Sequence, residues 1–289
     1  MAARFRSTRA VPWALAGAGA TLPLLAGPAL ARGLHDLSTP TRTTASALLW
    51  LAWGVGLLAA VVPHPVSLTT VRVFGPAGVV ATLVLRGHGD AWIGGVTATL
   101  VVSALAFTPA VGARAVNALA YPNERRFPLR PPGAVLIGPL ELAWAFAVAG
   151  LVTGPLLLSA QVWVAGAVAT VSGIPLAALL IRALHGLSRR WVVFVPAGIV
   201  LHDLLALSDP VLFQRRTIER LAPAPKDSDA LDLTERALGL ALELRLREPA
   251  DLNLSRARGT DRVKADAVLF TPTRPGAVLT EAAARRMPA

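Results

Sequence analysis

The chain has 289 residues, of which 54% are hydrophobic and only 16% are charged, and its mean hydropathy is +0.57. Soluble domains carry about 25% charged residues, so this composition excludes a wholly water-soluble protein. The absence of cysteine excludes disulfides, thiolate metal sites and cysteine nucleophiles. The formal net charge of +11 comes mainly from arginines beside apolar blocks, without the aromatic-rich pattern of RNA-binding domains, so nucleic acid is not an expected partner.

Residues 1–187 contain six apolar blocks, separated by short loops that carry arginines. A helix of about 20 apolar residues crosses the roughly 30 Å hydrocarbon layer of a bilayer. The predicted spans are residues 11–31, 45–62, 66–85, 91–111, 133–153 and 156–181. The first block is longer than an ordinary signal-peptide core and further spans follow it, so we predict a retained helix.

The arginines between the spans predict the orientation of the chain. If the N-terminus is cytoplasmic, eight arginines lie in cytoplasmic segments and three in outer loops, which agrees with the positive-inside rule. The eight are Arg4, Arg6, Arg9, Arg114, Arg125, Arg126, Arg130 and Arg182, against Arg32, Arg42 and Arg86 outside. Because six crossings return the chain to the cytoplasm, we expect a multi-pass protein of the cell (plasma) membrane with both termini cytoplasmic.

Two ionisable residues lie inside predicted spans. Arg72 in the third span and Glu141 in the fifth fall at a similar depth, about 9 to 12 Å from the cytoplasmic side. Charged groups in hydrocarbon are costly and often mark transport or proton pathways. The alternative is structural: an ion pair between two helices, or an Arg72 whose long side chain reaches the headgroups.

The polar residues of the chain predict no catalytic or metal site. The five histidines are scattered over both sides of the membrane, and no HxxxH or HExxH spacing places two of them on one helix face. The sequence also lacks a glycine-rich phosphate loop and a GxSxG motif. We therefore expect no cofactor, no metal and no enzymatic activity.

After residue 187 the apolar residues thin out and alternate with charged ones, which predicts strands. Residues 190–195 and 199–202 are expected to form a hairpin around the turn 196–198. Further strands are predicted at residues 211–220, 240–247, 252–255 and 267–271, with a turn at 248–251 and a closing helix at 273–286. The clearest signal is residues 240–247, where leucine occupies every even position, because this is the period of a strand with one buried face.

The elements of the C-terminal region follow a recognisable order. A membrane helix hairpin at residues 133–181 leads through Ser188-Arg189-Arg190-Trp191 into a strand hairpin and an alternating sheet. The motif Phe270-Thr271-Pro272-Thr273-Arg274-Pro275 then leads into a helix. This order resembles the bacterial PH-like domains of uncharacterised actinobacterial multi-pass membrane proteins. The resemblance implies a curved antiparallel sheet capped by one helix, used for binding or assembly, and it carries over no catalytic residues.

The expected fold is an α-helical membrane domain at residues 1–187 and a small cytoplasmic α+β domain, mainly antiparallel sheet with a C-terminal helix, at residues 188–289. The expected function is a non-enzymatic scaffold or interaction protein whose cytoplasmic domain docks a protein partner, a second copy of the chain, or the inner leaflet. Candidate contacts with anionic lipid headgroups are Arg125, Arg126, Arg130, Arg189 and Arg190. The alternative is a small transporter or channel component built on Arg72 and Glu141.

Overall fold

The structure is a computed structural model that describes residues 2–85, 89–256 and 259–288. The chain divides into two compact units, and each unit is made from two separate stretches of sequence. The first unit contains Met1–Ala115 and Glu141–His185, and it is helical. The second unit contains Val116–Leu140 and Gly186–Ala289, and it carries the strands.

The helical part contains several helices of membrane length. The helices before the main run of strands are α1 (Ala2–Leu25), α2 (Gly27–Gly33), α3 (Thr39–Val61), α4 (Pro65–Val84), α5 (Asp90–Ala106), α6 (Pro109–Asn117), α7 (Gly133–Leu136), α8 (Pro139–Ser159) and α9 (Trp163–Leu187). Four of them, α3, α4, α8 and α9, are long and apolar enough to cross a membrane. Two bent pairs raise the number to six if each is one span: Ala10–Leu25 with α2, bent by 43°, and α5 with α6, bent by 53°. The described residues therefore supply four to six such helices.

The fifth predicted span begins later than expected. Gly133–Leu136 form the separate short helix α7, and Gly138 adopts a φ of 97°. A residue in this left-handed region cannot continue an α-helix, so α8 begins only at Pro139, a residue suited to the first helical position. Glu141 consequently lies in the first turn of α8 and not deep within a helix.

Small residues let α8 and α9 approach each other closely. A Cβ atom on Gly154 would meet both the backbone and the hydroxyl of Thr170. A Cβ atom on Gly173 would lie 2.8 Å from the carbonyl oxygen of Gly150. Helices in lipid associate through such close packing because no hydrophobic force acts between them there. The two helices therefore form a tight hairpin.

The second unit contains two four-stranded sheets. Their strands are β1 (Arg125–Pro128), β2 (Trp191–Val195), β3 (Gly198–His202), β4 (Val211–Gln214), β5 (Ile218–Pro223), β6 (Leu231–Asp232), β7 (Leu242–Arg256) and β8 (Gly259–Phe270). The orders are β1-β2-β3-β4 and β5-β7-β8-β6, and the pairs are antiparallel except for β6 with β8. Helix α10 (Pro275–Ala284) closes the chain. The expected C-terminal region of mainly antiparallel sheet with a terminal helix is confirmed.

Strand β1 comes from the segment between α6 and α8, which we expected to be a loop of the membrane domain. It pairs antiparallel with β2, from Arg125 opposite Phe194 to Pro128 opposite Trp191. Its central Phe127 lies in the core of the sheet unit. The boundary expected between residues 187 and 188 therefore leaves out a part of this unit, because Val116–Leu140 belong to it.

The structure confirms some predicted strands and changes others. The hairpin of β2 and β3 is present, with Pro196 and Ala197 in its turn. Residues 211–220 are not one strand, because the chain turns at 215–217 and its two halves, β4 and β5, lie in different sheets. Residues 248–251 are not a turn, because β7 continues through them with a shift in pairing between Arg245 and Ala250.

One hydrophobic core joins both sheets and α10. The leucines at even positions of β7, Leu242, Leu244 and Leu246, are buried, which confirms the predicted alternation. Helix α10 adds Val278 and Ala282 to the same core. Because each sheet has one face in this core, the second unit is a folded domain with its own interior.

Candidate functional site

In the sequence, the helix hairpin α8–α9 lies between β1 and β2, which are neighbouring strands of the first sheet. Strand β1 precedes the hairpin and β2 follows it, and the two strands are hydrogen-bonded to each other. Beyond the strand pairs, the amide of Leu129 donates to the carbonyl of Arg190 at 3.0 Å. The segments that enter and leave the hairpin are therefore fixed beside each other by the sheet.

Arg190, the residue immediately before β2, is buried and makes a bidentate ion pair with Asp203. Its Nε donates to Oδ1 at 2.7 Å and its Nη2 to Oδ2 at 2.6 Å, with side-chain exposures of 2% and 0%. Its Nη1 donates to the carbonyl oxygen of Arg130 at 2.9 Å. The predicted headgroup contact at Arg190 is wrong, because a guanidinium buried and bonded on all sides does not reach a lipid.

The other four predicted headgroup arginines differ in exposure. Arg126 is only partly exposed, since it pairs with Glu124 at 3.0 Å and its guanidinium lies 5.6 Å from the ring centre of Trp191. The side chains of Arg125, Arg130 and Arg189 are exposed. These three remain predicted contacts for lipid headgroups, and they lie on the segments that lead into α8 and out of α9.

The side chain of Arg72, a residue of α4, contacts the C-terminal end of the neighbouring helix α5. Its Nε donates to the carbonyl oxygen of Ala106 at 3.5 Å, and its guanidinium lies 5.6 Å from the centre of the Phe107 ring. Ala106 is the last residue of α5, immediately before the 53° bend into α6. A cation is favourable at the carbonyl end of a helix, so Arg72 stabilises the point where α5 ends.

Arg72 contacts the carbonyl of Ala106 and the ring of Phe107. The ion pair expected between Arg72 and Glu141 stays a prediction. Arg72 lies about 10 Å along α4 from its first residue, whereas Glu141 lies about 3 Å along α8. The sequence suggests a similar depth for Arg72 and Glu141 because the fifth span is predicted to begin at residue 133. In the structure, α8 begins only at Pro139.

Arg114, which the sequence indicates only as one of the cytoplasmic positive charges, also contacts the end of a helix. Its Nη2 donates to the carbonyl oxygen of Val61, the last residue of α3, in a long hydrogen bond of 3.4 Å. Its guanidinium lies 4.7 Å from the centre of the Trp13 ring. Its Nη1 is buried and has no hydrogen-bond partner. An arginine with one buried amino group left over is a candidate binding residue.

An open groove of about 630 Å³ is lined by residues around the β4–β5 turn and by residues of β7. It is lined by Leu212, Phe213, Gln214, Arg216, Thr217, Arg247, Glu248, Pro249 and Ala250. Arg216 and Arg247 are exposed, and neither takes part in an ion pair with another described residue. The neighbouring Arg215 is occupied, because it donates to the carbonyls of Arg285 and Arg286 at the end of α10. The groove thus presents two basic side chains to a ligand.

Glu243 is a buried carboxylate on the face of β7 opposite the leucines. Ser228 Oγ donates to its Oε2 at 2.6 Å, and Arg245 Nε donates to its Oε1 at 3.1 Å. The hydrogen bond from Ser228, together with Arg245, holds the pKa of Glu243 below its ordinary value of 4.5, although burial acts in the opposite direction. Because its oxygens already accept these bonds, Glu243 fixes the linker before β6 to the sheet and does not offer a reactive group.

Within residues 2–85, 89–256 and 259–288, no group of three or more histidine, aspartate or glutamate side chains is arranged to hold a metal ion. Comparisons of the chain with protein-family models, with curated proteins and with solved structures found no match.

Proposed function

We propose that the protein is a non-enzymatic membrane protein that crosses the cell membrane six times and holds a cytoplasmic, PH-like docking domain against the inner leaflet. The observation that carries this proposal is the pairing of β1 with β2 on either side of the hairpin α8–α9. The two segments that join this hairpin to the sheet unit leave from neighbouring, paired strands. Such a linkage suits a docking domain that is attached to the membrane through both ends of a helix hairpin.

The PH-like fold is supported by two sheets, mainly antiparallel, that share one core with a C-terminal helix. The orientation is supported by the distribution of arginines along the chain. Contact with anionic headgroups is assigned to Arg125, Arg130 and Arg189, at about 1 kcal/mol for each basic side chain near the surface.

The docked partner is assigned to the groove at the β4–β5 turn, and we take it to be an acidic segment of another protein. The groove is the larger of the two described cavities and has two basic side chains without an ion-pair partner among the described residues. Opposite charge on a partner would steer its approach and pair with Arg216 and Arg247. The second candidate is a small transporter or channel component built on Arg72 and Glu141; Arg72 contacts the carbonyl end of α5.

The test is photo-crosslinking in cells with benzoylphenylalanine in place of Gln214, which lines the groove. We expect a discrete cross-linked product that disappears in the double variant Arg216→Glu and Arg247→Glu. The control is the double variant Arg262→Glu and Lys264→Glu on β8, which reverses the same number of exposed charges outside the groove. The same product in all three proteins would contradict the assignment, and a product of twice the monomer mass would identify a second copy instead of a separate partner.

A further inference from the structure

A small pocket lies beside the turn between α3 and α4, and Arg114 is one of its lining residues. Its volume is about 20 Å³, enough for about one water-sized atom. Arg114, His64 and Ser67 are its main polar lining residues, and the rest of the lining is mostly aliphatic. The pocket lies entirely within the helical unit.

The polar groups of this pocket are donors. Nη1 of Arg114 is buried with no hydrogen-bond partner, and a guanidinium has no acceptor. Nδ1 of His64 accepts from the amide of Val66 at 3.1 Å, so in the neutral ring Nε2 carries the proton. Ser67 adds a hydroxyl in the first turn of α4. A site that offers an arginine, an imidazole N–H and a hydroxyl is complementary to an oxygen with negative charge.

The surrounding helices add to the positive potential. His64 is the N-cap of α4, a helix of 20 residues, whose N-terminal end carries the positive end of the helix dipole. The Trp13 ring that contacts Arg114 is 64% exposed, as expected of an aromatic side chain at the surface of a bilayer. The α3–α4 turn joins two membrane-length helices and so lies at a membrane boundary.

We propose that this pocket binds one oxygen of a phosphate group, with Arg114 as its principal ligand and Ser67 and His64 as further donors. Two sources share this chemistry: the phosphodiester of an anionic phospholipid and free phosphate. The site is independent of the groove in the sheet unit, and its occupation does not depend on the proposed docking function.

The test uses the full-length protein purified in detergent. In native mass spectrometry, phosphatidylglycerol retained by the wild type should bind about tenfold more weakly to Arg114→Gln and measurably more weakly to Ser67→Ala, because a hydrogen bond to a charged group is lost in each. The control is Arg262→Gln, which removes one exposed arginine of strand β8 and should retain lipid as the wild type does. If Arg114→Gln does not fold, Ser67→Ala decides the lipid comparison.

The second arm measures thermal unfolding of the delipidated proteins in increasing inorganic phosphate. Stabilisation of the wild type that is lost in both pocket variants, without a difference in lipid retention, supports free phosphate as the source. A difference in lipid retention without a response to inorganic phosphate supports the lipid. If the pocket variants equal the wild type and Arg262→Gln in both arms, the pocket holds only water and the proposal is overturned.

Discussion

Asp203 accepts two hydrogen bonds from the guanidinium of Arg190, at 2.7 and 2.6 Å, with both side chains buried. Asp203 also accepts the amide of Leu205 at 3.2 Å, and Arg190 also donates to the carbonyl of Arg130. These bonds connect the chain before α8, the chain after α9 and the end of β3. The pair therefore holds together, within the sheet unit, the segments that precede α8 and follow α9.

Removing one member of this pair should be far more damaging than removing both. Asp203→Ala leaves a buried cation and should lower the free energy of unfolding by about 3–5 kcal/mol, whereas Arg190→Met with Asp203→Leu should recover most of the loss. The exposed pair of Arg262 and Asp251 is the control, and Asp251→Ala should cost under about 1 kcal/mol. Thermal unfolding in detergent, followed by near-UV circular dichroism, gives the order of stability. Equal losses for Asp203→Ala and Asp251→Ala would contradict the structural role.

The substitution Phe127→Ala tests whether the segment between α6 and α8 folds into the sheet unit. Its ring meets that of Phe194 edge to face at 5.6 Å and is buried. Phe127→Ala should lower the free energy of unfolding of the sheet unit by about 3–5 kcal/mol. The control is Phe146→Ala in α8, whose ring is 58% exposed. Limited proteolysis should cleave the Phe127→Ala protein after residue 188 faster than wild type; unchanged cleavage would place β1 outside the core.

The lowered pKa of Glu243 predicts that the stability of the folded protein depends on pH. Its lowered pKa means that the carboxylate stabilises the folded state fully above its ordinary value of 4.5, and that this contribution is lost as the pH falls below 4.5 through the folded value. The difference in melting temperature between the wild type and Glu243→Gln should therefore be largest near pH 7 and shrink below pH 4.5. Ser228→Ala removes the largest cause of the lowered pKa, so this variant should lose less stability than the wild type as the pH falls from neutral to below 4.5. A difference that stays constant with pH would contradict this assignment.

The sequence predicts best what depends on neighbouring residues alone. The long apolar runs of α3, α4 and α9 and the leucines at the start of β7 need no distant partner to be recognised. Strand β1 was missed because its four residues are too short for a periodic pattern and its partner β2 follows only after a complete helix hairpin. The fifth span begins later than predicted for a local reason, the left-handed backbone at Gly138.

In the candidate sites, too, contacts between residues far apart in the sequence were the ones that the sequence did not predict. Arg190 follows closely after a membrane helix, so its position alone indicated a headgroup contact. Its burial depends on Asp203, 13 residues later, and on the carbonyl of Arg130, 60 residues earlier. Arg114 counted only as a positive charge because its contact with Val61 spans 53 residues. Pairing across such separations is decided by the fold and not by the local sequence.

A double-mutant cycle on Arg72 and Glu141 separates a pair from two independent residues. Because the structure places Arg72 on the carbonyl of Ala106, Arg72→Leu and Glu141→Gln should be additive, with a coupling energy under about 0.5 kcal/mol. Arg72→Lys should keep part of the stability, since a cation remains near the end of α5. Melting temperatures of the four proteins in detergent supply the cycle. A double variant more stable than Glu141→Gln alone would show that the two charges interact.

The substitution Gly154→Ala tests how closely α8 and α9 must approach each other. A methyl group there would meet the backbone of Thr170, so Gly154→Ala should lower the free energy of unfolding by about 1–3 kcal/mol even though alanine favours helices. The matched control is Gly94→Ala in α5, where a Cβ atom meets nothing within 4 Å. That substitution should stabilise the protein by up to about 1 kcal/mol, because it removes the helix penalty of glycine and adds no contact. Opposite shifts in melting temperature for the two variants support a tight hairpin, and shifts of the same sign would show that the helices have room to separate.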